Sequence, residues 1–152
     1  KGGIKLLFGT GDRNYKAVKE EVDKLGIDSP DIDVVPYIDN MAEVMAASDV
    51  VIARSGAITV SEIAALGKPS ILIPSPNVVR NHQEQNAREF EKNGAAEVIT
   101  EDELTADKLY SKIVSMLEDT KKLDAMSENL LKMAKKDALP KIYELMKKMS
   151  DR

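Results

Sequence analysis

One stretch of the chain combines residue types that are suited to phosphate binding. Residues 54–62 read Arg-Ser-Gly-Ala-Ile-Thr-Val-Ser-Glu and follow the apolar run of residues 49–53. The pattern predicts a strand, a tight turn at Ser55 and Gly56, and a helix that carries Glu62 about one turn from its start. Such a turn directs backbone N–H groups and the positive end of a helix dipole at one point, where a phosphate can bind. Because Glu62 could then hold ribose hydroxyls, a nucleotide site is the leading hypothesis.

Two other polar segments follow predicted strands in the same way, namely residues 36–40 and residues 74–83. In a doubly wound sheet, ligands bind beyond the carboxyl ends of the strands, so these segments and residues 54–57 are expected to meet at one edge. Three polar loops at one edge are less expected by chance than a single one. This convergence favours a binding site.

Each of these features also has a simpler explanation. Asp39 or Asn40 could only cap the next helix, and Ser55-Gly56 could be an ordinary turn. Glu62 could be a solvated helix carboxylate, and His82 and Gln83 could be surface polar residues at a helix start. The residue types alone leave these alternatives open.

The elements that would position these residues alternate along the chain. The hydrophobic pattern predicts strands over residues 4–8, 32–36, 50–53, 70–73 and 96–99. Helices are predicted from the turn at residues 9–12 to Gly26, from residue 39 or 40 to 47, and over residues 58–66, 81–93, 106–118, 121–135 and 140–148. This alternation predicts an α/β fold with a doubly wound parallel sheet, extra C-terminal helices, and strands covered by helices on both faces.

Several apolar residues of the C-terminal helices are expected to be packing faces and not part of a cofactor site. They are Leu130, Met133, Ile142, Leu145 and Met149.

Composition excludes several classes of protein. The 152 residues suffice for one domain, or for one lobe of a larger protein, and 43% hydrophobic with 32% charged residues is typical of a globular protein. A net charge of −4 argues against nucleic-acid binding. With no cysteine and one histidine, neither a thiolate nor a multi-histidine metal centre is expected. No apolar run is long enough to span a bilayer and no signal peptide is visible, so a cytoplasmic location is expected.

The longer segment around the turn resembles the nucleotide-sugar motif of MurG-type glycosyltransferases. Residues 49–74 read Asp-Val-Val-Ile-Ala-Arg-Ser-Gly-Ala-Ile-Thr-Val-Ser-Glu-Ile-Ala-Ala-Leu-Gly-Lys-Pro-Ser-Ile-Leu-Ile-Pro. The resemblance extends to Tyr-Ile-Asp-Asn-Met-Ala at 37–42, Asn-His-Gln-Glu-Gln-Asn-Ala at 81–87 and Asn-Gly-Ala-Ala at 93–96. These enzymes are bacterial GlcNAc transferases of glycosyltransferase family 28 that complete the lipid-linked peptidoglycan precursor.

The resemblance implies a GT-B architecture of two Rossmann-like lobes, of which residues 1–152 would be the C-terminal, donor-binding one. The residues that it implies for binding UDP-GlcNAc are Ile38, Ser55, Gly56, Ala57, Ile58, Thr59, Glu62, His82 and Gln83. Ile38 would meet the uracil through its backbone, residues 55–59 would bring N–H groups and hydroxyls to the diphosphate, and Glu62 would hold the ribose. His82 and Gln83 would lie near the GlcNAc hydroxyls, with Gln83 the stronger candidate.

The implied reaction is an inverting transfer that needs no metal ion and no cofactor besides the donor substrate. Preorganised N–H donors at a helix N-terminus stabilise the negative charge of the leaving UDP. Arg54 precedes the turn, and it either contacts phosphate or only braces the loop.

The chain departs from the family pattern at its beginning. Family members carry a Gly-Gly-Ser loop after the first strand of this lobe, whereas Gly2 and Gly3 are followed here by Ile4. That strand and loop are expected upstream of residue 1, together with an N-terminal lobe that binds the lipid-linked acceptor and supplies the catalytic base. No catalytic residue is therefore expected in this chain, which alone should be inactive and bind UDP-GlcNAc weakly. The parent enzyme would be peripheral on the cytoplasmic face of the membrane.

Two alternatives accompany this interpretation. The chain could be the donor lobe of a related GT-B enzyme with another lipid acceptor, such as diacylglycerol or a dolichol-linked sugar. It could also be a non-catalytic or engineered α/β fragment, which would not be stabilised by nucleotides. In either case, an exposed apolar strand at residues 4–8 could drive homodimer formation.

Overall fold

The computed structural model describes residues 3–26, 31–78 and 81–134, together with residues 141, 143, 144, 146, 147 and 149. The strands are β1 (Leu6–Gly9), β2 (Ile32–Val35), β3 (Val51–Ala53), β4 (Ser70–Leu72) and β5 (Glu97–Val98). The helices are α1 (Asp12–Lys24), α2 (Met41–Ala47), α3 (Ala57–Leu66), α4 (His82–Lys92), a 3₁₀ turn (Glu101–Glu103), α5 (Ala106–Glu118) and α6 (Thr120–Met133). The chain forms two compact units, Lys1–Val44 and Met45–Arg152, and each is described by itself.

The first unit contains a two-stranded parallel sheet. β1 pairs with β2 in a register that places Leu6 opposite Ile32, and α1 contacts β2. Val34 is the one buried residue of these two strands, while the apolar side chains of β1 are 39–43% exposed. The expectation that helices cover both faces of every strand is therefore wrong for β1. A unit of this size cannot bury both faces of its strands by itself.

The second unit is a three-stranded parallel sheet in the order β3-β4-β5. Central β4 is buried along its whole length, as predicted for a strand covered on both faces. Around it lies the core, whose largest fully buried apolar side chains are Ile63, Ile71, Leu72, Ile99, Met116 and Leu130. Since α3 packs against α4 and α6, and α5 packs against α6, this unit holds its helices on a continuous apolar interior.

The predicted parallel α/β class is confirmed, with its strand pairing divided between two sheets. The predicted stop of α3 at Gly67 is also confirmed, since Gly67 adopts the left-handed conformation with φ 62°. Leu130 is buried and Met133 half-buried, as expected of packing positions, but Met149 is exposed. Ile142, Leu145 and the predicted helix start at Pro140 lie outside the described residues.

Candidate nucleotide-binding site

The start of α3 presents unpaired backbone donors. Gly56 occupies the N-cap with φ −63° and ψ 148°, and no side chain of the described residues caps the helix. The first intrahelical bond runs from the Val60 N–H to the Gly56 carbonyl, at 3.0 Å. The N–H groups of residues 56–59 precede that bond and are the four that an α-helix leaves without an internal partner. Donors at a helix N-terminus carry partial positive charge, which suits an anionic ligand.

The exposed face of α3 carries the polar and apolar groups beside these donors. Ile58 and Glu62 stand one turn apart and are both exposed, and Thr59 next to them is half-buried. The opposite face, with Val60 and Ile63, is buried in the core. Glu62 has no hydrogen-bond or ion-pair partner among the described residues, so its carboxylate is available to a ligand.

Ser55 ties the turn to helix α4 and is fully buried. Its hydroxyl donates to the Gln83 carbonyl at 2.7 Å, and its own carbonyl accepts from Nδ2 of Asn86 at 2.9 Å. The hydroxyl, which the resemblance placed near the diphosphate, is thus used inside the fold. The residues of the turn would meet a phosphate through their backbone.

Arg54 braces the loops around the turn. One guanidinium nitrogen donates to the Ile73 carbonyl at 3.2 Å, and another forms an ion pair with Glu101. Ile73 follows β4 and Glu101 follows β5, so Arg54 links the carboxyl ends of all three strands of this sheet. Of the two roles left open for Arg54, the structure shows the bracing one.

The beginning of α4 lies against the same turn. Gln83 accepts a hydrogen bond from the Ser75 N–H through Oε1 at 2.9 Å, which fixes the loop after β4 and leaves the side-chain NH₂ group as a donor. His82, the first residue of α4, is exposed. The loops that follow β3 and β4 lie next to each other because the register that pairs Ala53 with Leu72 ends both strands side by side.

Ile38 belongs to the first unit, whereas the other eight predicted site residues belong to the second. Its side chain packs over Gly9, where an added Cβ would lie 3.1 Å from the Ile38 Cδ1. Its backbone N–H and carbonyl have no hydrogen-bond partner among the described residues. An adjacent donor and acceptor of this kind suit the edge of a pyrimidine base.

A cavity of about 280 Å³ is lined in part by the polar loop at residues 74–83. Its lining residues are Pro74, Ser75, Pro76, Asn81, Glu84, Thr100, Glu101 and Asp102. It contains none of the predicted donor-binding residues. Within the described part of the chain, no group of three or more His, Cys, Asp or Glu side chains is arranged to hold a metal ion. The cavity adjoins the turn, since Ser75 bonds to Gln83 and Glu101 pairs with Arg54.

Comparison with known proteins identifies the family. The model of the glycosyltransferase family 28 C-terminal domain matches residues 1–142. The chain belongs to this family. The chain is 46% identical over 145 residues to the UDP-N-acetylglucosamine–N-acetylmuramyl-(pentapeptide) pyrophosphoryl-undecaprenol N-acetylglucosamine transferase of Acetivibrio thermocellus, covering 95% of this chain and 39% of that protein. It is 47% identical over 148 residues to the same-named protein of Thermoanaerobacter sp. X514, covering 97% of this chain and 41% of the relative.

Solved structures show the same likeness for this family 28 domain. The crystal structure of Acinetobacter baumannii MurG superposes with a TM-score of 0.80 at 26% identity, over 95% of this chain and 41% of that one. The glycosyltransferase VinC, solved with dTDP, shares the fold with a TM-score of 0.65 at 18% identity, over 85% of this chain and 36% of VinC. The chain thus spans about two fifths of the length of its relatives.

Two groups with roles in the site were not predicted. The amide of Asn86 and the carboxylate of Glu101 hold Ser55 and Arg54, respectively. Asn86 lies three residues after Gln83, which places both on one face of α4, so helical spacing could have suggested it. The Glu101 contact depends on β5 ending beside β3 and β4, which no local pattern reveals. Among the described helices, none is long and apolar enough to cross a membrane.

Proposed function

We propose that this domain binds the donor UDP-GlcNAc, with the diphosphate at the start of α3. The observation that carries the proposal is the uncapped turn at residues 56–59, whose backbone N–H groups face no partner among the described residues. A diphosphate would supply the acceptors that this helix terminus lacks. Membership of glycosyltransferase family 28 supports a sugar-nucleotide ligand at this turn.

Gly56 supports a close approach of the ligand. Its φ of −63° and ψ of 148° are accessible to any residue, so the backbone does not require glycine there. An added Cβ would meet only the Thr59 Oγ1, at 3.9 Å. The fold therefore has room for alanine. Glycine is a favoured N-cap residue, and here it also leaves the backbone open to the close approach of a phosphate.

Glu62 and Gln83 would complete recognition of the donor. Glu62 is exposed on the same face as Ile58 and would accept hydrogen bonds from the ribose hydroxyls. Gln83 is fixed through its Oε1 by Ser75 and would donate from its NH₂ group to a GlcNAc hydroxyl, with His82 beside it. Ile38, in the first unit, is proposed to read the uracil through its unpaired backbone groups.

We propose that the whole enzyme transfers GlcNAc to a lipid-linked muramyl-pentapeptide during peptidoglycan synthesis. The names of the relatives support this acceptor, since they specify a pyrophosphoryl-undecaprenol substrate. A second lobe would bind that acceptor at the cytoplasmic face of the membrane and supply the base. Transfer would need no metal ion, because the N–H donors of α3 would stabilise the leaving UDP.

We also propose that the chain forms a homodimer through β1. This strand pairs on one edge with β2, and the apolar side chains from Ile4 to Phe8 are 39–47% exposed. Among the described residues, no strand pairs with the other edge of β1. A free edge with apolar side chains on both faces is a template for pairing with an identical strand.

Isothermal titration with UDP tests the donor site through Glu62. We expect the wild-type chain to bind UDP and Glu62→Ala to bind about tenfold more weakly, because the variant loses charge-assisted hydrogen bonds to the ribose. Glu128→Ala is the matched control, since Glu128 is also an exposed helix glutamate but lies on α6.

Equal affinities of the wild type and Glu62→Ala would show that the ribose assignment is wrong. A thermal melt distinguishes a donor-binding domain from a non-catalytic α/β module, because a bound ligand at 100 times its Kd adds about 2.7 kcal/mol to the stability. A melting curve that UDP and UDP-GlcNAc leave unchanged would favour a non-catalytic α/β module.

A further inference from the structure

We propose that Asn86 is a positioning residue that aims the Gly56 N–H at the donor diphosphate. Asn86 is not among the residues that the family resemblance suggested for the donor. It belongs to α4, and its role follows from a contact with the turn before α3. The inference rests on the proposed function, because it assigns a supporting group to the same phosphate site.

The contact between Asn86 and the turn is direct. Nδ2 of Asn86 donates to the carbonyl oxygen of Ser55 at 2.9 Å. Ser55 is fully buried, so its carbonyl has no access to water as an alternative donor. Among the described residues, Asn86 is the one side chain that reaches this oxygen.

Because of the geometry of the peptide bond, this contact also determines the direction of an N–H group in the proposed site. The carbonyl of Ser55 and the N–H of Gly56 belong to one planar peptide unit, and no described peptide bond is cis. In a trans peptide the two groups point in opposite directions. When Asn86 holds the Ser55 oxygen on the side of α4, it therefore directs the Gly56 N–H away from α4. That N–H is the first of the four unpaired donors at the start of α3.

Because a second hydrogen bond holds the same turn, the effect of Asn86 on the peptide orientation can be tested without loss of the fold. The Ser55 hydroxyl donates to the Gln83 carbonyl at 2.7 Å and holds the same turn to α4. Without the Asn86 amide, this bond would still keep the turn in place. The Ser55–Gly56 peptide plane would then lose its second restraint, and its buried carbonyl would rotate to find another donor. The direction of the Gly56 N–H would change with it.

The test compares Asn86→Ala with Asn129→Ala. The Asn129 side chain on α6 also donates through Nδ2 to a backbone carbonyl, that of Gly94, at 3.2 Å. The two substitutions delete the same kind of hydrogen bond, and only the first touches the turn. We expect UDP affinity, measured by isothermal titration, to fall about tenfold in Asn86→Ala and to stay at the wild-type value in Asn129→Ala.

The orientation of the Gly56 N–H is measured directly by its residual dipolar coupling in the free protein. We expect this coupling to change in Asn86→Ala, relative to the couplings along α3, and to remain unchanged in Asn129→Ala. A merely stabilising role of Asn86 would not alter the coupling.

The outcomes separate the two proposals. An unchanged Gly56 coupling in Asn86→Ala, or an unchanged UDP affinity beside a binding wild type, overturns the role of Asn86. If the wild-type chain does not bind UDP at all, the proposed function fails, and the coupling alone still decides whether Asn86 orients this peptide.

Discussion

At the scale of single residues, the glycines at the two ends of helix α3 differ in whether the fold requires them. Gly67 at the end of the helix is required by the fold, since its φ is 62° and an added Cβ would lie 2.9 Å from the Leu131 Cγ. Gly56 at the start meets neither requirement. We expect Gly56→Ala to melt close to the wild-type temperature. Alanine restricts the unfolded chain, which stabilises the fold by about 0.4–1 kcal/mol, but it is a poorer N-cap residue than glycine.

Gly67→Ala is the control for that melt. We expect it to destabilise the chain, because alanine is strained at this φ and collides with α6. A loss of stability in Gly56→Ala as large as that in Gly67→Ala would contradict a ligand-related reason for Gly56.

The sequence identifies residues whose chemistry is local. Ser55, Gly56 and Glu62 follow a strand and begin a helix, so their order alone predicts a phosphate-binding turn. The sequence could not show that the Ser55 hydroxyl is used by Gln83, or that Asn86 holds the Ser55 carbonyl. Those facts depend on the distance between two helices that are far apart in sequence.

At the scale of elements, Glu97 joins strand β5 to helices α5 and α6. Its carboxylate forms ion pairs with Lys112 of α5 and Lys122 of α6. Burial opposes ionisation of Glu97 and would by itself raise its pKa, but the hydrogen bonds from the two lysines outweigh it, so the pKa of Glu97 is lowered. The ionised carboxylate is therefore more stable in the folded chain than in the unfolded one.

Because its pKa is lowered, Glu97 makes a contribution to the stability of the folded chain that depends on pH. Its stabilisation is fully present above the unfolded pKa of about 4.3 and is lost as the pH falls through the lower folded pKa. We expect Glu97→Gln to cost about 1–2 kcal/mol at pH 7, a value reduced for the 41% exposure of Lys122. At pH 3 the cost should be smaller.

Urea denaturation at both pH values measures this difference. Glu128→Gln, which changes an exposed glutamate of α6, should have little effect at either pH. A cost of Glu97→Gln that is no larger at pH 7 than at pH 3 would contradict the pH dependence expected from the lowered pKa.

The elements themselves were well predicted from sequence because their signals are local. Helix α5 has the predicted bounds, and α3 ends where Gly67 predicts. The exposed apolar strand considered for residues 4–8 is observed in β1, although the apolar run itself looks the same whether or not other elements cover it. Burial depends on neighbours, and among the described residues of the first unit only β2 pairs with β1.

At the scale of the whole molecule, the first unit leaves apolar surface uncovered. The apolar side chains of β1 are 39–43% exposed. The relatives are more than twice as long, so in them further chain is available to cover surface of this kind. In the chain alone, a second copy is the proposed cover for β1.

Light scattering after size-exclusion chromatography tests the homodimer. We expect twice the mass of one chain at high concentration, and a monomer for Leu7→Lys, because a charge on an apolar edge strand opposes pairing. Leu25→Lys is the control, since Leu25 is also exposed in the first unit but lies outside β1. A monomeric wild-type chain at high concentration would refute the dimer.

The most direct test of the donor site is a calorimetric titration of UDP into wild type and Gly56→Ala. The methyl group added at position 56 would fit the fold but occupy the space that a diphosphate needs beside the backbone. We predict measurable binding by the wild type and at least a tenfold loss in a Gly56→Ala protein that melts like the wild type. Equal UDP affinity in both proteins would contradict a diphosphate site at the start of α3.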